Sequence, residues 1–360
     1  MATVCQIGCG MIGKVMALDI SKKHDLHLSD IDQSSLSEVK ALDPSIKTKC
    51  FNFNDIDVLK SFLEPADIVL VAVPGHLGYG LLKKIIGLKK NIVDISFSPE
   101  NLLSLDKMAK DNNVTVIFDA GLAPGIPNFI LGNINRKENV KKFKYFVGGL
   151  PKSPSPPYNY KAPFSPIDVV EEYTRPARIM QNSKVIIKPA LTDIEQKYYP
   201  DTGMLEGFNT DGLRSILITM KHIPNMVEKT LRFPGHAQLI NKEIKSRKII
   251  PGDKDNLDRL FKLWKLSPNE LEFTILDIII ETDTRKHNYF LYDETNLKEN
   301  TTSMARTTGY TASAVVDILD QNIFVEKGVF SPELVGSRTK VVNYLLDHLK
   351  TKNIQIKKIN

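Results

Sequence analysis

A glycine-rich turn near the start of the chain constrains the fold more than any other stretch. Residues 4–7 form a short apolar run, and the pattern Gly-x-Gly-x-x-Gly follows at residues 8–13. A helical pattern then covers residues 14–22, and a second short strand at residues 26–29 leads into Asp30. A strand, a glycine turn, a helix and an acid in this order predict a dinucleotide site, with the pyrophosphate at the N-terminus of the helix.

Each glycine of this turn has its own expected task. Gly8 allows the tight turn, Gly10 lets the backbone approach the phosphates, and Gly13 lets the helix pack close to the strand. Met11 and Ile12 lie in the first helical turn, and we count them among the cofactor-binding residues. A glycine-rich turn that binds no cofactor is the alternative interpretation.

Asp30 decides which dinucleotide is expected. It lies twenty residues after Gly10, where a carboxylate can accept hydrogen bonds from both ribose hydroxyls. The same carboxylate repels a ribose 2′-phosphate, and no arginine follows it directly. We therefore expect NAD as the cofactor, with NADP as the less favoured alternative.

Composition and charge exclude several classes of function. The chain has 360 residues, enough for about two domains, and 42% of them are hydrophobic. The net charge of +6 comes from scattered lysines without a basic stripe, so no nucleic-acid partner is expected. No apolar run approaches about 18 residues and no signal peptide is evident, so we expect a cytoplasmic protein without a membrane span. The three cysteines lack metal-ligand spacing, so we expect free thiols and no metal site.

Short apolar strands alternate with helical patterns through the first third of the chain. The strands are predicted at residues 2–7, 26–29, 46–51, 67–73, 91–96 and 114–119. Near-continuous apolar strands that alternate with helices indicate a parallel sheet covered on both faces. The expected fold class is therefore α/β, with a doubly wound Rossmann sheet in the first domain.

Small or polar residues lie at the ends of these strands, where ligands bind to an open parallel sheet. Asn52 and Asn54 follow the third strand and are expected to flank the adenine. Val73 and Pro74, at the end of the fourth strand, are expected near the nicotinamide ribose, and Ser96 ends the fifth. We include all five among the cofactor-binding residues.

Asp119 ends the sixth predicted strand and precedes Gly121. A carboxylate in this position is expected to be partly desolvated and close to the nicotinamide side of the site. An acid that caps a helix or shapes a turn is the alternative.

The alternation of strands and helices stops near Pro124, and two later stretches concentrate polar residues. Arg214 follows a turn and opens a helix, so we expect its guanidinium to bind a substrate carboxylate; an ion pair with a neighbour such as Glu206 is the alternative. His236 follows Pro-Gly at a predicted helix start, whose positive end is expected to lower its pKa and leave a neutral general base. A structural histidine is the alternative.

The end of the chain is expected to return to the first domain. Residues 302–321 form a long helical pattern with small residues, and residues 337–350 form a charged amphipathic one. We therefore predict a split dinucleotide-binding domain, residues 1–123 plus 302–360. An inserted α+β domain for substrate binding and dimerisation is predicted at residues 124–301.

Seven stretches together resemble the saccharopine dehydrogenase-like oxidoreductases, and most of all the lysine 6-dehydrogenase branch. These stretches are residues 8–13, 119–125, 147–151, 171–177, 210–214, 229–236 and 303–311. The resemblance implies an NAD(P)-dependent oxidoreductase acting on the CH–NH2 group of an amino acid, commonly a homodimer. The expected reaction is oxidative deamination of L-lysine at the ε-amine. The alternatives are a saccharopine or carboxynorspermidine-type activity on a secondary amine, and a non-catalytic NAD-binding regulatory protein.

The implied reaction assigns tasks to individual residues. The amine must be neutral before hydride leaves, and a water must then attack the oxidised carbon. Asp119 and His236 are the candidates for these proton transfers. The candidates for substrate binding are Arg214, Arg175, Tyr173 and Lys229. Lys229 as a partner of Glu228, and Tyr173 as a packing residue, are the alternatives.

Overall fold

The computed structural model describes residues 1–267 and 270–359; residues 268–269 of the predicted inserted domain and residue 360 of the predicted first domain lie outside the described residues. The strands, in chain order, are β1 (Thr3–Ile7), β2 (Asp25–Asp30), β3 (Lys47–Cys50), β4 (Ile68–Val71), β5 (Asn91–Asp94), β6 (Thr115–Ile117), β7 (Val140–Pro151), β8 (Ala177–Gln181), β9 (Lys184–Lys188), β10 (Glu195–Tyr199), β11 (Gly203–Asn209), β12 (Asn225–Arg232), β13 (Glu272–Thr282), β14 (Lys286–Glu294), β15 (Gly328–Phe330) and β16 (Ile356–Ile359).

The helices, in chain order, are α1 (Met11–Ile20), α2 (Gln33–Leu42), α3 (Ile56–Leu63), α4 (Gly75–Gly87), α5 (Asp106–Asp111), α6 (Ile126–Asn135), α7 (Pro166–Thr174), α8 (Ile216–Thr219), α9 (His236–Lys245), α10 (Lys254–Trp264), α11 (Ser303–Asp320), α12 (Pro332–Gly336) and α13 (Thr339–Thr351). A short 3-10 helix, Leu102–Leu105, precedes α5.

These elements form two compact units whose boundaries differ from the predicted domains. The first unit comprises Met1–Ile134 and Ala305–Asn353, and the second comprises Asn135–Met304 together with β16. Residues 124–134 were predicted in the inserted domain, but they lie in the first unit. The strand β16 was predicted in the first domain, but it lies in the second unit because it pairs with β14.

The first unit is built on a parallel sheet with the strand order β15-β6-β5-β4-β1-β2-β3. The strand β1 pairs in parallel with both β2 and β4, so the order of the strands reverses beside it. The strand β4 reads Ile-Val-Leu-Val and is buried throughout, as a strand covered on both faces must be. This confirms the predicted doubly wound Rossmann sheet.

The C-terminal segment completes the first unit. The strand β15 adds in parallel to the free side of β6, with Val329 opposite Val116. Asp317 of α11 is buried and accepts hydrogen bonds from Nε2 of His24 and from the hydroxyl of Tyr344, both at 2.9 Å. These contacts hold α11 and α13 to the turn that follows α1.

The second unit is built on a mixed sheet with the strand order β10-β11-β12-β7-β13-β14-β16, and β8 pairs with β12 and β9. The central strands β12 and β7 are parallel. Side chains alternate between the faces of a strand, so Glu228, Thr230 and Arg232 of β12 share one face while Lys229 and Leu231 lie on the other.

An aromatic core covers the first of these faces. Phe208 of β11 lies opposite Thr230 of β12 and packs in a cluster with Trp264 of α10 and Tyr173 of α7. Trp264 is 0% exposed, and it meets Tyr173 edge to face with ring centroids 6.0 Å apart. This core brings the motif residues of α7, β12 and α9 together.

Candidate functional site

The glycine turn after β1 has the geometry of a dinucleotide loop. Gly8 has φ +108°, and a Cβ there would collide with the carbonyl of Ala72. A Cβ on Gly13 would lie 2.5 Å from the carbonyl oxygen of Gly8. A Cβ on Gly10 would meet no heavy atom within 4 Å. The first and third glycines therefore serve the packing of the chain, while the second leaves open space for a ligand.

The helix after this turn presents its positive end to that space. Helix α1 begins at Met11 with Gly10 as its N-cap residue, and no side chain of the described residues caps its first N–H groups. The Gln6 amide donates hydrogen bonds to the carbonyls of Gly8, at 2.8 Å, and Gly13, at 2.7 Å, which makes the turn rigid. Met11 is 47% exposed and Ile12 is half-buried. Uncapped N–H groups at the positive end of a helix suit a pyrophosphate.

Asp30 lies at the end of β2, next to the glycine turn. Its Oδ2 accepts from the backbone N–H of Cys9 at 2.5 Å, and its Oδ1 accepts from the N–H of Asp32 at 2.8 Å. Each oxygen keeps a further lone pair for a ribose hydroxyl. Hydrogen bonds from Ser35 and Ser34 lower the pKa of Asp32 to about 2, so a second carboxylate lies two residues on. The residues of the turn therefore fit a dinucleotide whose ribose hydroxyls face two acids.

The remaining predicted cofactor residues lie at the same edge of the sheet, with different surroundings. The Asn52 side chain accepts from the N–H of Asn54 at 2.9 Å, and the Asn54 side chain accepts from Lys84 at 3.0 Å. Pro74 is exposed beside half-buried Val73.

Ser96 differs from these residues because it is only 2% exposed. It supports helix α4, since a Cβ on Gly78 of that helix would collide with the Ser96 hydroxyl.

Asp119 also lies at this edge, two residues after β6. It is 2% exposed, and its φ of +54° is unusual for a residue other than glycine. Helix α6 begins at Ile126, so Asp119 is not its N-cap residue. The loop between them is tight, because Gly125 has φ +143° and a Cβ there would overlap the carbonyl of Gly121. Asp119 is therefore a buried acid in a strained backbone conformation at the carboxyl edge of the sheet.

The second unit contains a buried polar cluster centred on Tyr173. Nε2 of His236 lies 3.0 Å from the Tyr173 hydroxyl, and Nδ1 lies 2.9 Å from the carbonyl oxygen of Tyr158. The Nε–H of Arg232 donates to the Tyr173 hydroxyl at 2.8 Å. Both ring nitrogens of His236 are therefore engaged inside this unit.

The polarity of this cluster follows from its donors and acceptors. A carbonyl can only accept, so the proton of the neutral ring lies on Nδ1 of His236, and Nε2 accepts from the hydroxyl of Tyr173. Burial and, after it, the charge of Arg232 lower the pKa of His236 to about 3. The imidazole is thus neutral, as expected, but burial and the charge of Arg232 lower its pKa, and not the positive end of helix α9 as expected. The N–H groups of Gly235 and Ala237, at the start of α9, donate to the carboxylate of Glu206 at 2.9 and 2.7 Å.

Arg232 belongs to this cluster and was not a candidate in the sequence. Its side chain is 2% exposed, and its guanidinium lies 4.3 Å from the ring centroid of Tyr160 and donates to Glu172 at 3.1 Å. The signal in the sequence is weak: a cation two residues before Pro234-Gly235-His236. Its aromatic partners come from distant parts of the chain.

The three cations predicted to bind the substrate, Arg214, Arg175 and Lys229, have different surroundings. Arg214 follows β11 with φ +48° and is 9% exposed. Arg175 follows α7 and pairs with Glu171 one helical turn earlier. Lys229 does not pair with Glu228, because the two side chains lie on opposite faces of β12. Its ammonium contacts Glu195 of β10 at 2.9 Å and the backbone carbonyl of Asp193.

Within residues 1–267 and 270–359, no group of three or more His, Cys, Asp or Glu side chains is arranged to hold a metal ion. No helix within those residues is both long and apolar enough to cross a membrane.

Two models of known protein families match the sequence of this chain. The family model described as the saccharopine dehydrogenase NADP binding domain matches residues 4–117. The model described as the saccharopine dehydrogenase C-terminal domain matches residues 121–354. The second match alone covers more than half of the chain.

Two relatives and one solved structure are similar over long stretches. The mitochondrial alpha-aminoadipic semialdehyde synthase of Rattus norvegicus is 26% identical over 205 residues, which are 52% of this chain and 22% of that protein. The saccharopine dehydrogenase (NADP+, L-glutamate-forming) of Pyricularia oryzae is 28% identical over 199 residues, 52% of this chain and 44% of that protein. The chain therefore matches less than half the length of either relative.

The apo saccharopine dehydrogenase (L-Glu forming) of Saccharomyces cerevisiae superposes with a TM-score of 0.78 at 16% identity. The superposition covers 100% of this chain and 99% of that one. It shows a shared fold across both units.

Proposed function

Because the chain belongs to the saccharopine dehydrogenase family, we propose that it is an NAD(P)-dependent oxidoreductase that oxidises a CH–NH group of an amino acid. The observation that carries the proposal is the glycine turn. Gly10 leaves open space at the uncapped start of α1, and Asp30 lies beside it at the end of the next strand. These groups are the ones that contact the pyrophosphate and the ribose in a dinucleotide fold of this kind.

The residues around Asp30 favour NAD over NADP. Residues 28–36 contain Asp30 and Asp32 and no lysine or arginine. A ribose 2′-phosphate bound here would meet two carboxylates and no cation from this turn. The matched family model and the fungal relative carry NADP in their descriptions, so cofactor choice is the sharpest point of difference to test. The bound cofactor supplies the hydride acceptor, its nicotinamide ring.

Saccharopine is the first substrate to test, because the relatives found by comparison are described as saccharopine dehydrogenases or as aminoadipic semialdehyde synthases. L-lysine is the second, because the motifs of this chain resemble the lysine 6-dehydrogenase branch. In both cases the substrate loses a hydride from carbon and a proton from nitrogen. Water then hydrolyses the imine to a carbonyl, with release of an amine from saccharopine and of ammonia from L-lysine.

Asp119 is the proposed base for the amine proton, since it is a buried acid at the edge of the sheet where the nicotinamide is expected. Tyr173 and His236 form the second proposed proton-transfer pair, in which the imidazole accepts from the hydroxyl. Arg214 is the proposed ligand for a substrate carboxylate, because a guanidinium can bind a carboxylate through two hydrogen bonds, and Arg175 and Lys229 are the further candidates.

One assay tests the proposal. Production of reduced cofactor is measured with saccharopine, L-lysine, L-ornithine and carboxynorspermidine, each with NAD+ and with NADP+. Turnover of saccharopine with NAD+ is the expected result, and turnover of L-lysine alone would establish the second candidate. Cofactor binding without turnover of any of the four would support a non-catalytic NAD-binding protein. The homodimer implied by the resemblance is tested by measuring the mass of the full chain in solution.

A further inference from the structure

Glu228 lies in the middle of β12 and is 3% exposed. Its Oε2 accepts from the hydroxyl of Thr210 at 2.5 Å and from the backbone N–H of Gly212 at 3.1 Å, and its Oε1 lies 3.5 Å from the hydroxyl of Thr230. A Cβ on Gly212 would lie 2.7 Å from the same carboxyl group. The side chain of Glu228 is therefore packed directly against the turn that follows β11.

A side chain of a second strand holds the carbonyl group of Gly212. Tyr145 of β7 lies directly opposite Glu228 in the parallel pair β12–β7. Its hydroxyl donates to the carbonyl of Gly212 at 2.9 Å. The N–H and the C=O of Gly212 are thus each fixed by one of two neighbouring side chains of the central strands.

The residue between Thr210 and Gly212 is fixed as well. Oδ1 of Asp211 accepts from Nε of Arg178 at 2.9 Å, and Oδ2 accepts from Nη2 at 2.8 Å. Two residues after Gly212 the chain adopts φ +48° at Arg214. A residue other than glycine keeps such a conformation only where the surrounding structure determines it.

We propose that Glu228 is a positioning residue, which holds the turn at residues 210–213 so that Arg214 is presented to the carboxylate of the amino-acid substrate. The inference rests on the proposed role of Arg214 and adds the side chain that fixes its backbone. Displacement of a binding group by about 1 Å is enough to cost a large factor in catalysis.

The surroundings of Glu228 explain why a buried carboxyl group can hold the turn at residues 210–213. Burial raises the pKa of Glu228 to about 8, and the charge of Glu172 on α7 and that of Asp211 act in the same direction. The hydrogen bonds from Thr210 and Gly212 lower this pKa, and the balance of these effects favours the uncharged carboxyl near neutral pH. A glutamine amide has the same shape and the same net charge, and its oxygen can accept the same two hydrogen bonds.

The test compares Glu228→Gln and Glu228→Ala with Arg214→Ala in the full chain. Tyr199→Phe is the control, because it removes a buried hydroxyl contact with Asp277 on the opposite face of the same sheet. The readouts are KM and kcat for whichever of saccharopine and L-lysine is turned over, the thermal midpoint, and hydrogen exchange of the Gly212 amide. A substrate that binds without turnover is followed by its shift of the thermal midpoint.

We expect Glu228→Ala to raise KM for the amino acid at least about tenfold, to leave KM for the dinucleotide unchanged, and to speed exchange of the Gly212 amide. Glu228→Gln should restore both values to near wild type, and Tyr199→Phe should not change KM. A rise in KM for Arg214→Ala but not for Glu228→Ala would overturn this inference alone. An unchanged KM in Arg214→Ala would overturn the role of Arg214 and the inference with it. If neither amino acid binds or reacts, the proposed function fails, while exchange at Gly212 still reports whether Glu228 holds the turn.

Discussion

The hydroxyl of Tyr173 donates to Nε2 of His236 over 3.0 Å, and Nδ1 of the same ring donates to a backbone carbonyl at 2.9 Å. This relationship fixes a neutral imidazole with its proton on Nδ1. We expect nitrogen NMR of His236 to show the Nδ1–H tautomer from pH 8 down to about pH 4. A ring that becomes doubly protonated near pH 6.5 would contradict the assignment.

The same ring makes stability depend on pH. The pKa of His236 is about 3 in the folded chain against 6.5 as the ordinary value, so the unfolded chain takes up this proton first as the pH falls. The neutral ring therefore adds to the free energy of unfolding above about pH 6.5. This added stability is lost towards pH 3, at up to about 1.4 kcal/mol per pH unit. Denaturant titration of wild type and His236→Gln at pH 4 and pH 7 measures the difference. If the free energy of unfolding changed equally between pH 4 and pH 7 in the two proteins, this prediction would be wrong.

Glu228 has the opposite dependence, because its pKa is raised from 4.5 to about 8. The unfolded chain loses this proton first as the pH rises, so wild type loses stability between about pH 4.5 and pH 8 relative to a neutral side chain. We therefore expect Glu228→Gln to match wild type near pH 4.5 and to have the higher thermal midpoint at pH 8. A lower midpoint for Glu228→Gln at pH 8 would show that the buried group is ionised.

Gly8 and Gly10 form a matched pair for testing the cofactor site. Gly8→Ala places a side chain at φ +108° against the carbonyl of Ala72, so we expect a loss of about 1–3 kcal/mol or more in the free energy of unfolding. Gly10→Ala meets open space at φ −72°, so it should leave the unliganded chain as stable as wild type.

Gly10→Ala should nevertheless weaken cofactor binding, because the added methyl group occupies the space where the phosphates approach. The measurement is the rise of the thermal midpoint with NAD+ and NADP+, which depends on ligand concentration relative to Kd. A full rise in Gly10→Ala would place the dinucleotide elsewhere.

Asp30 should control the choice between the two dinucleotides. Asp30→Ala removes the acceptor for the ribose hydroxyls, so we expect KM for NAD+ to rise about tenfold while KM for NADP+ falls. Asp32→Asn is the control, since it removes one charge and keeps a side chain that can cap α2; it should shift the preference less. Tighter binding of NADP+ than of NAD+ by wild type would show that the two carboxylates do not decide the preference.

Asp119→Asn tests the proposed base. Asparagine tolerates the positive φ of this position, so the backbone should be retained while the acceptor for the amine proton is lost. We expect kcat to fall by about 10²–10⁴-fold with little change in dinucleotide affinity. Turnover within a few-fold of wild type would assign the proton transfer to another group.

The strands β1 to β6 of the first sheet were predictable because their signals are local, whereas β15 was not predicted. The glycine turn, the acid at the end of β2 and the buried apolar strands each lie within a short window of sequence. The cluster around Arg232 was not predictable in the same way, since Tyr160, Glu172 and Tyr173 lie about 60–70 residues away along the chain. A single sequence does not show which distant aromatic residues will surround a cation.

Two partners in the second unit lie far away in the sequence. For Lys229 the alternative to substrate binding was a pair with its neighbour Glu228, but successive residues of a strand point to opposite faces, and the partner Glu195 comes from β10. The strand β16 contains two lysines between isoleucines and has the composition of a solvated tail. Its backbone pairs with β14, and no local signal announces this.

The order in which the two sheets are completed bears on how the chain folds as it leaves the ribosome. The side of β6 that β15 covers stays open until residues 328–330 have been synthesised, which is after nearly all of the second unit. The second sheet, in turn, receives β16 only with residues 356–359. The edge of β6 is therefore unpaired while residues 118–327 are synthesised, and the edge of β14 is unpaired while residues 295–355 are synthesised. Such edges are sites of aggregation, and chains truncated before residue 328 should be captured by chaperones far more than chains that extend to residue 359.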